Sequence, residues 1–338
     1  MQNKVTIKDI ARECGVSITT VSRVLNHVEG ACTQETKDKI MEVVDRTNYR
    51  PNPVARSLVT RRTNLVGVIL TDVYNQFFQE LFRGAEDYLT NKGYQLILCN
   101  TDGKINKENQ FLDTLSKGVV DGIIISTSNM LEDNSKILEL HNNKFPVLVV
   151  ERYGENLKNV PKIMFDNIKA MRIAVEELYN KGHRKIAFIQ GPHGAANARL
   201  RYQGYLEGLA AVGLPFNEAL VLAGDYQMLS GYKAIKKIAA KEEFTAVIAS
   251  NDLMAVGACK ALREAKRKVP DDVSVMGLDG TMLADMYQPS LDTVVVHGYD
   301  MGKTAAENIY KMIEGKKIKS TDTVFDPVIR SGESVKEI

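Results

Sequence analysis

Four polar residues of this 338-residue chain stand at the ends of apolar runs that read as strands. They are Glu151 behind "VLVV", Asn251 and Asp252 behind "AVIAS", and Asp279 closing "VMGLD". Phe77 and Phe78 follow a further run in "LVGVILTDVYNQFF". Carboxylates and an amide beside flat rings suit a hydroxyl-rich ligand, because hydroxyls both donate and accept while a sugar face is apolar. The same residue types also cap helices and form turns, and paired phenylalanines also fill helix cores. Both readings stay open for each residue, except that Asp252 is expected to be a helix cap.

Catalytic chemistry finds little support. "GYDMGKT" (298–304) comes within one residue of a phosphate loop. It is one residue too short to cradle phosphates and would put Asp300 among them, so it is expected to start a helix. No GxGxxG follows a strand, no HExxH or GxSxG is present, and none of the five histidines pairs with a cysteine at metal spacing. Glu151 and Asp279 are also of the types that a sugar-modifying enzyme with paired carboxylates would use. Hydroxyl binding explains them equally well, and such an enzyme leaves the N-terminal region unexplained. We expect no enzyme, no metal and no cofactor.

The elements behind these residues form two series. "LVGVIL", "YQLILCN", "VDGIIIS" and "FPVLVVE" look like strands buried on both faces, with amphipathic stretches such as "FFQELFRGAEDYLTNKG" between them. A second series holds "RKIAFIQGP", "EALVLAGD", "FTAVIASND" and "VSVMGLDG". Alternating βα units give parallel sheets that bind ligands at their carboxyl ends, so two doubly wound subdomains with a cleft between them are expected.

Residues 1–62 carry a net charge of +4 and the remainder −2, a basic head that suggests a polyanion partner. In "VTIKDIARECGVSITTVSRVLN", Thr6 is a plausible N-cap, Ile7, Ile10, Ala11 and Cys14 recur at helical spacing, and Gly15 supplies a left-handed stop. Ser17 caps a second helix that hides Val21, Val24 and Leu25 and shows Ile18, Thr19, Ser22, Arg23 and Asn26, a face without an acid. A third helix spans about 33–47. Helix, tight turn and polar-faced helix make a helix-turn-helix, whose second helix fits the major groove of DNA. Behind it, "RPNPVARSLVTRRT" offers Pro51 and Pro53 to start a helix about two turns long. Such a helix is unstable alone, because nucleation is costly.

"TIKDIARECGVSITTVSRVLN" followed by "YRPNPVARSL" closely resembles the DNA-binding head of the LacI/GalR family of bacterial transcription regulators, and the resemblance runs along nearly the whole chain. It implies that Ile18, Thr19 and Arg23 read bases, with Ile18 against a thymine methyl. It also implies that Ser17, Thr20, Ser22 and Asn26 hold phosphates; Thr6 joins this DNA-facing set. Residues 49–62 become a hinge helix in the minor groove, with Leu58 as a wedge in the central base step and Asn52, Ala55 and Arg56 along the groove. "ANARLRYQGY" resembles the stretch whose second arginine, here Arg201, grips the ligand, and Tyr226 stands where relatives carry an aromatic.

The implied architecture is an all-α helix-turn-helix domain (1–48), the hinge (49–62) and a periplasmic-binding-protein-like α/β body (63–338). In the body, the N-subdomain covers about 63–163 plus 295–323, and the C-subdomain about 164–294 plus 324–338. The implied function is a homodimeric repressor of a palindromic operator, controlled by a sugar or sugar-acid effector. An alternative is a catabolite-control-type regulator whose co-effector is a phosphorylated partner protein. Two departures from the family are noted: Glu151 where many relatives carry Asp, and Val296-His297 where many carry Gln-Pro. His297 is left between the ligand, the hinge and a structural role. Four scattered cysteines and the lack of any apolar run near the ~18 residues of a membrane span point to a soluble, cytoplasmic protein with reduced thiols.

Overall fold

The computed structural model describes residues 5–26, 28–50, 57, 60, 62–128, 134–152 and 156–338. The chain divides into two units, 1–63 and 64–338.

The first unit is built on three helices: α1 (Ile7–Cys14), α2 (Ile18–Leu25) and α3 (Gln34–Thr47). Gly15 takes φ 69°, which costs a residue without a Cβ little, and its N–H closes the end of α1. Ile10, Ala11, Cys14, Val21, Val24, Ile40, Val43 and Val44 form one buried cluster, so each helix contributes a single apolar face. Arg46 of α3 pairs with Glu13 of α1 at the rim.

The second unit holds two six-stranded sheets. The first contains β1 (Leu65–Leu70), β2 (Gln95–Asn100), β3 (Gly122–Ile125), β4 (Val147–Val150), β5 (Lys162–Phe165) and β11 (Asp322–Phe325). Its order is β11-β5-β4-β3-β1-β2, parallel throughout. The second contains β6 (Ile186–Ile189), β7 (Val221–Leu222), β8 (Ala246–Ala249), β9 (Ser274–Asp279), β10 (Asp292–Val295) and β12 (Val328–Arg330). Its order is β12-β10-β9-β8-β6-β7, with only β12 antiparallel. Central strands such as "VLVV" and "AVIA" are buried at every position, as expected for strands covered by helices on both faces.

The chain crosses between the sheets after β5, after β10 and after β11. β5 and β11 end at Phe165 and Phe325, so the expected boundaries at 163 and 323 each cut through a strand. "KIMF" and "DTVF" hide as strands because each carries a charged residue in four. One of those charges, Lys162, is buried and satisfied by the carbonyls of Leu157 and Lys158 and by Asp322.

"GYDMGKT" opens the helix Gly298–Ile313, and its glycines serve packing. This helix lies against the helix Gln76–Thr90 so closely that a Cβ on Gly302 would stand 1.8 Å from the Leu81 carbonyl oxygen, and one on Gly84 would stand 2.0 Å from that of Tyr299. Gly302→Ala therefore has to push two helix backbones apart, and overpacking of this kind costs about 1–3 kcal/mol. A lowered thermal midpoint for Gly302→Ala, set against an unchanged one for Gly194→Ala, whose Cβ meets nothing within 4 Å, checks this contact.

Candidate functional site

The surface of α2 in the first unit is assembled by local hydrogen bonds. Ser17 Oγ accepts from the Thr20 N–H at 3.0 Å and lies 2.9 Å from Thr20 Oγ1, which fixes the first turn. Val21 and Val24 are buried, so Ile18 (44% exposed), Thr19 and Arg23 turn outward together. Asn26 Nδ2 donates to the Ser22 carbonyl at 2.8 Å and closes the other end. Thr6 donates from both its N–H and its hydroxyl to Asp9, holding the Asp9 carboxyl below its usual range. The Thr6 hydroxyl is thus engaged in the cap of α1. The face keeps hydroxyls, one guanidinium and one aliphatic side chain, with no carboxylate on α2 itself. Asn52, Ala55, Arg56 and Leu58 lie outside the described residues.

In the second unit the carboxyl ends of the two sheets converge. Glu151 directly follows β4 with φ 58°, in the left-handed region that a β-carbon disfavours. Its carboxylate accepts from Asn197 Nδ2, lies 3.2 Å from Arg152 Nε and 3.7 Å from the Arg201 guanidinium. Arg201, 3% exposed, donates from Nε to Asn167 Oδ1 at 2.8 Å and from a terminal nitrogen to the Ser250 carbonyl at 2.5 Å. Two nitrogens of Arg201 are therefore hydrogen-bonded by the protein, and the third faces the Glu151 carboxylate at 3.7 Å. Tyr226 (φ 68°) sits with its ring 5.4 Å from Arg201 and 5.2 Å from Arg152. Burial pushes its phenol up to about 12.

Phe77, Phe78, Glu151, Arg201, Tyr226, Asn251 and Asp279 all line one small space of about 10 Å³, together with Asn75, Arg152 and Asn197. Phe77 and Phe78 meet edge to face with centroids 5.2 Å apart and belong equally to the helix core. This is the closed floor of the cleft. Above it lies a cavity of about 690 Å³ whose wall includes Thr71, Asp72, Tyr74, Asp225 and Gln227, with Asn75, Phe78, Arg152 and Tyr226 as the shared boundary. The residues missed from the sequence stand one or two places further along: Thr71 and Asp72 behind β1, Arg152 behind Glu151, and Gln227 behind Tyr226. Reading two residues past each strand end, instead of one, would have found the first three. His297 is half-buried at the start of Gly298–Ile313 with φ 56° and is absent from both linings.

Two assignments change. Asn251, taken from the sequence as a ligand residue, is the helix cap: its oxygen accepts from the Met254 N–H at 2.9 Å, and its nitrogen donates to the Tyr226 carbonyl at 2.8 Å. With both ends of the amide occupied, it shapes the floor and holds Tyr226. Asp252, expected to be that cap, is buried in the first turn and accepts from the N–H and hydroxyl of Thr281 and from the Thr293 hydroxyl. It ties β9 and β10 to the helix Asp252–Glu264. Burial raises the Asp252 carboxyl to about 6 against the hydrogen bonds that lower it. Burial also lifts Asp279 well above the ordinary carboxyl range, with Arg201 opposing; Asn75 Nδ2 donates to it at 3.4 Å.

The two halves of the cleft also meet directly. Gln227 Nε2 donates to Asp72 at 2.6 Å, and the Leu283 N–H donates to Gln76 Oε1 at 2.9 Å. Among the described residues no group of His, Cys, Asp and Glu has the arrangement of a metal site, and no helix is long and apolar enough to cross a membrane. All four cysteines are free thiols.

The pattern described as "Periplasmic binding proteins and sugar binding domain of LacI family" matches residues 63–329, and that of "Bacterial regulatory proteins, lacI family" matches 6–52. The chain is 37% identical to the HTH-type transcriptional regulator RegA of Clostridium saccharobutylicum over 97% of its own length and 98% of that protein. It is 35% identical to catabolite control protein A of Priestia megaterium, over 94% and 95%. Among solved structures it resembles the CelR–cellobiose complex (28% identity, TM-score 0.73, 98% and 99% covered). It shares the fold of the Lac repressor dimer bound to operator and the anti-inducer ONPF (24%, TM-score 0.87, 99% and 100%).

A carboxyl raised in the folded state contributes stability that is present below its unfolded value and is lost as pH rises through the folded value. For Asp252 that window runs from the ordinary 3.8 to about 6. Chemical denaturation from pH 4 to 7 should show the wild type losing stability across the window, with Asp252→Asn giving a flatter profile. Identical slopes for the two proteins would show that Asp252 stays charged in the fold.

Proposed function

The chain belongs to the LacI family of bacterial transcription regulators, and from that premise we propose that it is a cytoplasmic homodimeric repressor whose operator affinity is set by a sugar-like effector in the cleft. It is a DNA-binding transcription regulator and not an enzyme. The observation that carries the regulatory part is the pair of unpartnered hydroxyls in the cleft wall. Thr71 Oγ1 and Tyr226 Oη are buried and have no hydrogen-bond partner among the described residues. An orphaned buried hydroxyl costs about 1–3 kcal/mol, which a polyhydroxylated ligand would relieve.

On the DNA side, the exposed set Ile18, Thr19 and Arg23 is of the right types to read base edges. Arg23 suits a guanine and Ile18 a thymine methyl. Ser17, Thr20, Ser22 and Asn26 suit phosphates, although their hydrogen bonds to one another show that they first shape α2. Two heads in one dimer call for a two-fold symmetric site. Leu58, with Asn52, Ala55 and Arg56, would enter the minor groove at its centre and join effector binding to DNA binding.

Selection of bound duplexes from a random pool should enrich a palindrome, and Leu58→Ala should weaken binding to that site by about tenfold or more while Arg23→Ala relaxes the choice of base in each half-site. An operator affinity within about twofold of wild type for Leu58→Ala would make the segment a plain linker.

A further inference from the structure

We propose that the effector carries a cationic amine as well as hydroxyls, so that its class is an amino sugar. This rests on the cleft being the effector site. The floor has little free volume and most of its polar groups are held by the protein, whereas the outer chamber has about 690 Å³, within the range of small-ligand pockets.

The charges of that chamber are unequal. Asp72, Asp102 and Asp225 line it, and among the described residues Arg152 is its one cationic lining residue. Arg152 is set against Glu151, and Asp102 against Lys107 at 2.7 Å. Asp72 and Asp225 are left, one from each half of the cleft, and among the described residues neither has an ion-pair partner. Both are hydrogen-bonded to the same residue: Gln227 gives its side chain to Asp72 at 2.6 Å and its N–H to Asp225 at 2.9 Å. Asp225 and Gln227 share one turn, and the Gln227 side chain carries that turn across the cleft to Asp72. A carboxylate has four acceptor sites, so each retains capacity for a further donor.

An ammonium that reached both carboxylates would neutralise them and tie the two halves of the cleft together. Thr71 and Tyr226, whose buried hydroxyls have no hydrogen-bond partner among the described residues, line the same chamber, one on each wall. Tyr74, 79% exposed at the rim, offers a ring for a sugar face or for the ammonium. A sugar acid would have to compete with Glu151 for either arginine: Arg201 also gives nitrogens to Asn167 and Ser250, and Arg152, the one in the chamber lining, stands 3.2 Å from the Glu151 carboxylate.

Titration calorimetry on the full chain at pH 7 tests this with glucosamine, N-acetylglucosamine, glucose and glucuronate, and with the β-linked disaccharides of glucosamine and glucose. The amine-bearing probes should bind about tenfold more tightly than their neutral counterparts, with glucuronate weakest. Asp72→Asn and Asp225→Asn should each bring the amine probe to within about twofold of the neutral one, with thermal unfolding showing that the variants are folded. Neutral or acidic probes binding as tightly as the amine, or an amine preference that survives both substitutions, would overturn the proposal while leaving a sugar effector standing. Failure of every probe, whatever its charge, would count against the sugar-effector reading itself.

Discussion

A guanidinium cannot be left unpaired in a protein interior, and the body is organised around that constraint at Arg201. Removing one partner of a buried ion pair costs about 3–5 kcal/mol, so the groups around such a charge are fixed with it. Arg201 draws together Asn167, at the start of the helix that follows the first crossing, the carbonyl of Ser250 beyond β8, and Glu151 beyond β4. Those residues come from both halves of the cleft. Glu151 accepts a left-handed backbone to reach the site, a strain of order 1–3 kcal/mol that the ion pairs offset. The result is a floor in which nearly every polar group is committed.

The commitment of the floor moves recognition outward. Thr71 and Tyr226 keep unpaired hydroxyls, Asp72 and Asp225 keep unpaired charge, and all four border the larger chamber. An effector there would touch both halves at once, at the ends of β1 and β7, which makes its binding energy depend on their separation. A ligand shifts a two-state protein only through such a difference in affinity. Beneath, Asp252 clamps Thr281 and Thr293 across β9 and β10, close to the second crossing, so that the strands leading into the returning helix move as one piece.

Much of this was legible in the sequence, for identifiable reasons. Buried parallel strands announce themselves as unbroken apolar runs, and the helix-turn-helix is set by Gly15, Ser17 and the acid-free face of α2. The strand-end rule found Glu151 and Asp279 because chemistry in this fold gathers at those ends. It put the helix cap at Asp252 instead of Asn251, since a cap and a buried first-turn acid are adjacent and share their residue types; only the partners Met254, Thr281 and Thr293 tell them apart. It missed Arg152 behind the Glu151 that had already drawn attention, and it passed over Thr71 and Asp72 behind β1 in favour of the phenylalanines further on. β5 and β11 were hidden because pairing across a crossing cannot be read from four residues.

The central claim is that occupancy of the outer chamber sets the affinity for DNA. Its most direct measurement is operator binding by the full chain, followed by fluorescence anisotropy with and without a saturating effector, in wild type and in Tyr226→Phe. Coupling of about 1–3 kcal/mol should change the wild-type affinity roughly 5- to 150-fold. Tyr226→Phe should bind the operator as the wild type does but lose most of the response at the same effector concentration. An operator affinity that does not change when the cleft is saturated would contradict the account.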